Sequence, residues 1–170
     1  MSQPYIICEQ LNQLGESPLW HPVENRLYWL DCLDTKLFCY DPLNENISTC
    51  PISEYVGAIA YRSQGGLIAT TTTGIALLDP NNGSLSPLVN LLSKNSHLRM
   101  NDAKCDRQGR FWAGSASNDI NKQEGALFCL DSTQQCTLKQ KGFMISNGIG
   151  FSPDNTIMYH TDSVAKMTYC

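Results

Sequence analysis

The sequence predicts an all-β fold, part of a β-propeller, on three observations: one strand pattern recurs four times, helical periodicity is almost absent, and turn residues punctuate every repeat. Aligning Leu27-Tyr28-Trp29, Leu67-Ile68-Ala69, Phe111-Trp112-Ala113 and Met158-Tyr159-His160 gives steps of 40, 44 and 47 residues (27 to 67, 67 to 111, 111 to 158). Periods of this length belong to four-stranded propeller blades. Four such units, the last ending early at Cys170, predict about three and a half blades in an open arc.

The strands follow in chain order. In the first repeat Ser17-Pro18-Leu19-Trp20 leads through the turn His21 to Asn25 into Arg26 to Asp31, and Lys36 to Tyr40 is closed by Asp41-Pro42. The second runs Ala58 to Tyr61, turns at Ser63-Gln64-Gly65-Gly66, continues Leu67 to Thr72, then Gly74 to Leu78 before Asp79-Pro80. In the third, Ala103 to Cys105 precedes the turn Asp106 to Gly109, Arg110 to Gly114 and Gly125 to Leu130. The fourth begins Ile149 to Ser152, turns at Pro153-Asp154-Asn155 and continues Thr156 to Thr161. Leu88 to Leu92 has room for one turn of helix and reads as loop.

Composition narrows the function. With 42% hydrophobic and 16% charged residues in 170, the chain carries enough apolar side chain for one core and is not of a disordered type. A net charge of −4 leaves no basic field for a phosphate backbone, so no nucleic-acid partner is expected and small neutral ligands fit better. No apolar run approaches the ~20 residues that span a bilayer, and Met1-Ser2-Gln3-Pro4 lacks the basic and apolar regions of a signal peptide. No membrane partner and a cytoplasmic setting are the expectations. The eight cysteines include no Cys-x-x-Cys pair, so they read as reduced, structural thiols, with Cys39 and Cys129 at one repeat position. An open arc exposes a blade edge, which invites self-association.

Counting back ten or eleven residues from each aligned strand lands on Glu16, Gly57, Asn101 and Asn147. The inner strands of a propeller run side by side around a central channel, so residues at this phase converge on one mouth of it. Taken singly, Gly-Glu-Ser or Asn-Gly reads as a turn. Three polar residues in phase read instead as a shared site, with carboxylate and amide oxygens suited to a hard divalent cation, and Asp102 adds a second carboxylate. Ser115 and Ser117 lack a Gly-x-Ser-x-Gly context, and His21, His97 and His160 are scattered and read as surface or turn residues, so a Ser-His-Asp hydrolase is unsupported.

Three motifs in order carry a family resemblance: Gly15-Glu16-Ser17-Pro18-Leu19-Trp20, then Arg99-Met100-Asn101-Asp102-Ala103 with Gly109-Arg110-Phe111-Trp112-Ala113-Gly114, then Ser146-Asn147-Gly148-Ile149 with Ser152-Pro153-Asp154. They resemble the senescence-marker-protein-30, gluconolactonase and luciferin-regenerating-enzyme family, of which regucalcin is a member. The resemblance implies a six-bladed propeller, of which residues 1–170 would be the N-terminal part, binding one divalent metal ion (calcium, zinc, manganese or magnesium) and hydrolysing sugar lactones. It makes Glu16 and Asn147 metal ligands, and Arg99, Asn101 and Asp119 contacts to the sugar lactone. The family's remaining ligand and candidate general base, an aspartate, is expected beyond Cys170, so impaired activity is expected of these 170 residues. Asp162, at the same repeat position as Asp31, Thr71 and Ser115, reads as a turn-stabilising residue rather than its replacement. A non-catalytic calcium-binding propeller and a nonfunctional fragment of the lactonase are the alternatives.

Overall fold

Alternating apolar residues and frequent turns fold into four antiparallel sheets, each a simple meander, in a computed structural model that describes residues 3–93 and 97–170. Met1 and Ser2 lie outside the described residues. Blade 1 holds β1 (Gly15–His21), β2 (Arg26–Asp31), β3 (Lys36–Asp41) and β4 (Asn46–Pro51). Blade 2 holds β5 (Val56–Tyr61), β6 (Leu67–Thr71), β7 (Gly74–Leu78) and β8 (Leu85–Asn90). Blade 3 holds β9 (Leu98–Cys105), β10 (Phe111–Ser117), β11 (Gly125–Leu130) and β12 (Cys136–Phe143). Blade 4 holds β13 (Ser146–Phe151), β14 (Met158–Asp162) and β15 (Met167–Tyr169).

The all-β propeller organisation stands, but four sheets replace the expected three and a half. The difference is β15, three exposed residues with no buried face to reveal them in the sequence. The same cause hid the outermost strands β4 and β12, whose residues are almost all exposed or half-buried. Leu88 to Asn90, read as loop, belongs to β8, where Val89 pairs with Ile75 on β7. The innermost strands also start earlier than expected. They take in Glu16, Gly57, Asn101 and Asn147 rather than beginning after them.

Strands β1, β5, β9 and β13 lie in succession, each packed on the next. The core is divided accordingly. Leu30, Leu37, Ile59, Leu67 and Leu78 fill the space between blades 1 and 2; Ile68, Ile75, Met100, Phe111 and Leu130 fill that between blades 2 and 3. Leu127, Phe143 and Ile149 form a smaller cluster between blades 3 and 4. Each fully buried Leu, Ile or Phe here contributes roughly 1.5–3 kcal/mol, so the blade interfaces hold the inner strands in fixed relation. Two histidines belong to these interfaces and not to the surface, contrary to expectation. His21 is buried edge-on to Tyr61 at 4.6 Å, and His160 is buried edge-on to Phe143 at 4.4 Å. His97 is exposed and pairs with Glu124.

The cysteines form no disulfide among the described residues, and burial raises the Cys32 thiol to about 12 and that of Cys105 to about 11. Cys129 is buried as expected, whereas Cys39 is only partly so. Among the described residues no helix is long and apolar enough to cross a membrane.

Candidate functional site

Antiparallel pairing puts the repeat phase on a structural footing. At equivalent positions toward the ends of the second strands, Asp31, Thr71, Ser115 and Asp162 face Gly15, Val56, Met100 and Ser146 on the first strands. The next residue along each first strand is Glu16, Gly57, Asn101 or Asn147. In all four blades the register between first and second strands slips at this point, the first strand carrying one extra residue. Such a bulge bends the strand and re-aims its side chains. Two bulges go further: Ser17 (φ 54°) and Gly148 (φ 53°), the residues after Glu16 and Asn147, take the left-handed conformation. Ser17 tolerates it because its hydroxyl is held by blade 2, accepting from Ile59 N at 2.9 Å and facing Ile59 O at 3.3 Å.

Arg99 and Asn101 are hydrogen-bonded to each other. The Arg99 guanidinium donates through Nη1 to Asn101 Oδ1 at 2.5 Å and to the Tyr55 hydroxyl at 2.6 Å, and lies 5.0 Å over the Tyr55 ring. Asn101 Nδ2 donates to Ser146 O at 2.9 Å, while its own carbonyl accepts from Thr70 Oγ1 at 2.7 Å. Both ends of the Asn101 amide are therefore engaged. It orients Arg99 and ties blade 3 to its two neighbours. Gly57 leaves room for this, since a Cβ there would sit 2.8 Å from Asn101 O. Tyr55 was not foreseen, although it stands two residues before Gly57 as Arg99 stands two before Asn101.

Glu16 remains open to solvent, but desolvation by its surroundings raises its carboxyl above the ordinary range. Asp102 raises it further, while the Ser17 amide and the Arg99 guanidinium pull it back. Burial pushes the Tyr55 phenol up to about 12; Arg99 opposes that, while Cys32 and Glu16 add to it. Glu16, Arg99, Asp102, Tyr55 and Cys32 thus share one electrostatic neighbourhood. Asn147 is half-buried and donates through Nδ2 to Ser163 Oγ at 3.0 Å, leaving Oδ1 without a partner among the described residues. Asp102 faces blade 4, where its Oδ2 accepts from Ile149 N at 3.4 Å.

Asp119 lies in the loop after β10, beyond the end where Ser117 pairs with Leu98, so the topology puts it at the Arg99 end of that hairpin. Its carboxylate accepts from Asn121 N at 3.1 Å and faces Lys122 Nζ at 3.9 Å; it makes no bond to Arg99 or Asn101. The Asp162 carboxylate is engaged by backbone amides. Burial raises its carboxyl, but amides of Met144, Ala165, Ile145 and Val164 outweigh that and hold it below the usual range. Asp31 is held down in the same way by Gln13, Leu14 and Asp34.

These motifs and this architecture have counterparts among known proteins. The family model of the SMP-30/gluconolactonase/LRE-like region matches residues 14–170. The chain belongs to this family. Among curated relatives it is 34% identical over 163 residues to the 6-deoxy-6-sulfogluconolactonase of Pseudomonas putida, covering 96% of this chain and 56% of that protein. It is 29% identical over 156 residues to human regucalcin, covering 89% of this chain and 52% of the other. Among solved structures, a calcium-binding regucalcin from Agrobacterium tumefaciens superposes with a TM-score of 0.88 at 23% identity, covering 96% of this chain and 55% of that one. A luciferin-regenerating enzyme gives 0.85 at 23% identity, covering 92% and 55%. Both likenesses establish the propeller fold. The chain spans about half the length of the curated relatives it matches.

In this SMP-30/gluconolactonase-like chain the donor set at the bulges suits a hard cation. Glu16 offers a carboxylate whose ionisation is disfavoured by burial and by Asp102, a penalty that a bound cation would remove. Asn147 offers its unpartnered amide oxygen. The Asn101 amide oxygen differs in already accepting from Arg99, whose positive charge disfavours a cation beside it. The described residues hold no cluster of three or more His, Cys, Asp or Glu, so an ion at Glu16 and Asn147 would need further oxygen donors, from water or from elsewhere.

Proposed function

We propose that this chain supplies the metal-binding and substrate-orienting wall of a sugar-lactone hydrolase that depends on one divalent ion. One observation carries the proposal: of the four equivalent bulges, two present oxygen donors, Glu16 and Asn147, while the third holds Arg99 and Asn101 as a preorganised hydrogen-bonding pair beside them. The lactonase and regucalcin names of the relatives support the same chemistry. Six blades for the whole protein and a cytoplasmic setting, consistent with thiols that remain free, are parts of this proposal.

Glu16 and Asn147 would hold the ion. Bound there, a divalent cation supplies Lewis acidity toward a lactone carbonyl and toward water. Arg99 has Nη1 fixed by Asn101 and Tyr55, which leaves the rest of its guanidinium to donate to ring or hydroxyl oxygens of the sugar. Tyr55 stays protonated at neutral pH and serves as a floor for Arg99, not as a base. Asp119, at the same end of blade 3, would accept from a sugar hydroxyl at the rim. Fixing these groups before substrate arrives saves the reorganisation that solvent would otherwise need.

The test is calorimetric titration with calcium, zinc, manganese and magnesium, together with initial rates of glucono-1,5-lactone opening corrected for the spontaneous reaction. Glu16→Gln and Asn147→Ala should each weaken metal binding, whereas Arg99→Met should leave it intact and weaken sugar binding. Unaltered metal affinity in both Glu16→Gln and Asn147→Ala would refute the site. Metal binding without lactone turnover in a protein extended to the full length of its relatives would favour a calcium-binding role.

A further inference from the structure

A buried histidine stands at the far end of the bonds that hold Arg99. His160, on the middle strand of blade 4, is 4% exposed and packs against Phe143, edge-on at 4.4 Å, and Tyr169, stacked at 6.4 Å. Its Nε2 meets Ser146 Oγ at 2.6 Å, and Ser146 is wholly buried. Blade 3 is shaped to admit that hydroxyl: a Cβ at Gly114 would lie 1.9 Å from Ser146 Oγ. The carbonyl of the same serine accepts Asn101 Nδ2 at 2.9 Å, and Asn101 Oδ1 in turn accepts Arg99 Nη1.

We infer that His160 and Ser146 are positioning residues for the substrate site: the imidazole fixes Ser146, whose carbonyl fixes the Asn101 amide and through it the direction of the Arg99 guanidinium. Buried polar groups that lose one partner must find another or rearrange, so a histidine–serine bond in a buried interface restricts the placement of Ser146. Neither side chain hydrogen-bonds Glu16, Arg99 or Asn147. A serine–histidine pair invites comparison with a nucleophilic dyad, but a hydroxyl with no exposed surface cannot meet a substrate, although the imidazole, packed on the rings of Phe143 and Tyr169, also feels the Asp162 and Asp102 carboxylates. The link from this pair to Arg99 runs through Asn101. It explains why the amide points its oxygen at Arg99, where the reverse orientation would set two donors against each other.

The inference rests on the sugar-binding role of Arg99, and two separate readouts keep the two apart. The side-chain amide resonances of Asn101 and the Arg99 Nε resonance, assigned by NMR in the unliganded chain, report the relay directly. Binding of 1,5-anhydro-D-glucitol, which has the sugar ring but no ester, reports its use. Ser146→Ala and His160→Leu should move both sets of resonances and raise the anhydroglucitol Kd about five- to tenfold, the effect of one lost hydrogen bond. His160→Gln, which keeps a polar group where Nε2 stands, should restore resonances and affinity toward the parent values, an outcome that loss of general packing would not produce. Should His160→Leu fail to fold, Ser146→Ala, which removes one oxygen, decides alone. Unmoved Asn101 and Arg99 resonances in folded Ser146→Ala overturn the inference. If the parent binds no anhydroglucitol while these resonances still move, the relay stands and the sugar-binding reading falls.

Discussion

Blades 1 and 4 and blades 2 and 3 use one repeat phase for two different purposes. In blades 1 and 4 the bulge is followed by a left-handed residue, Ser17 or Gly148, and the second strand ends in a buried aspartate, Asp31 or Asp162. Each aspartate gathers the two amides that lead into the first strand, Gln13 and Leu14 or Met144 and Ile145. Cys32 N donates to Leu14 O at 3.0 Å and Ser163 N to Ile145 O at 3.1 Å, so the two blades match bond for bond. In blades 2 and 3 hydroxyls replace the aspartates, with Thr71 facing Gly74 O and Ser115 accepting from Ala126 N. Their phase residues, Gly57 and Asn101, press on each other. Where the aspartate holds the strand entry, Glu16 and Asn147 keep oxygens that no neighbouring blade engages, whereas the intervening blades use the same position to lock the wall between them.

The largest effect is expected where that comparison is sharpest. Asp162→Ala strands four backbone amides and should cost about 3–4 kcal/mol, whereas Ser115→Ala, which loses one hydroxyl partner, should cost about 1–2 kcal/mol. Urea midpoints of the two variants give the difference. The aspartates also set an acid limb. Their folded pKa lies below the unfolded value, so their stabilisation is complete above about pH 4 and is lost as pH falls through the depressed folded values. Asp162→Asn should flatten that limb; an unchanged acid profile would show that the carboxylate charge is unimportant.

A second test concerns the locked wall. Gly57→Ala pushes a Cβ against the Asn101 carbonyl, for which the overpacking cost is about 1–3 kcal/mol, and it should shift the Asn101 side-chain resonances as well. Gly150→Ala, one strand position past the blade 4 bulge with no atom within 4 Å, should stay within about 0.5 kcal/mol of the parent. Equal costs for the two would mean that inter-blade contact at Asn101 does not matter.

The strand order and the phase of the site were legible because hairpin turns are written in Gly, Pro, Asn and Asp, and because buried inner strands repeat their apolar residues. The outer strands β4, β12 and β15 were not, since half-exposed residues at a sheet edge leave no periodic signal. Glu16, Asn101 and Asn147 could be picked out by repeat position and Arg99 by the family motif, yet nothing in a linear pattern told that the Asn101 amide is engaged at both ends and the Asn147 oxygen is not. His160 was misplaced for a related reason. A lone histidine in a strand carries no mark of the serine it will meet fourteen residues away across a hairpin.

The third test compares the left-handed residues directly. Gly148→Ala should cost about 1 kcal/mol because a φ of 53° strains a residue with a Cβ, and Thr161 Oγ1 would lie only 3.1 Å from the new atom. Ser17→Gly relieves the same strain but gives up the hydroxyl bond to Ile59, so the two effects should nearly offset. A strongly destabilised Ser17→Gly would show that blade 1 is held by the hydroxyl more than by the bend. Thermal denaturation of the pair resolves this.

The smallest effect belongs to Glu16, and its sign is the informative part. Its folded carboxyl titrates above the ordinary glutamate range, first through desolvation and then through Asp102, so the folded state holds the proton more tightly than the unfolded chain. Stability attributable to this residue therefore falls as pH rises through the interval between the unfolded and the raised folded value, opposite in direction to Asp31 and Asp162. At neutral pH without metal the ionised Glu16 is a mild burden, and Glu16→Gln should raise Tm by about 1 °C or less, solvent exposure having screened most of the repulsion. Adding a divalent cation should reverse the ranking, because the parent gains RT ln(1 + [L]/Kd) from a ligand that the variant holds poorly. The measurement is a Tm series for both proteins at pH 7, with and without each metal. A Glu16→Gln variant less stable than the parent in the absence of metal would mean that the carboxylate already has a favourable partner in Arg99, and blade 1 would then be a locked blade like its neighbours instead of an open one.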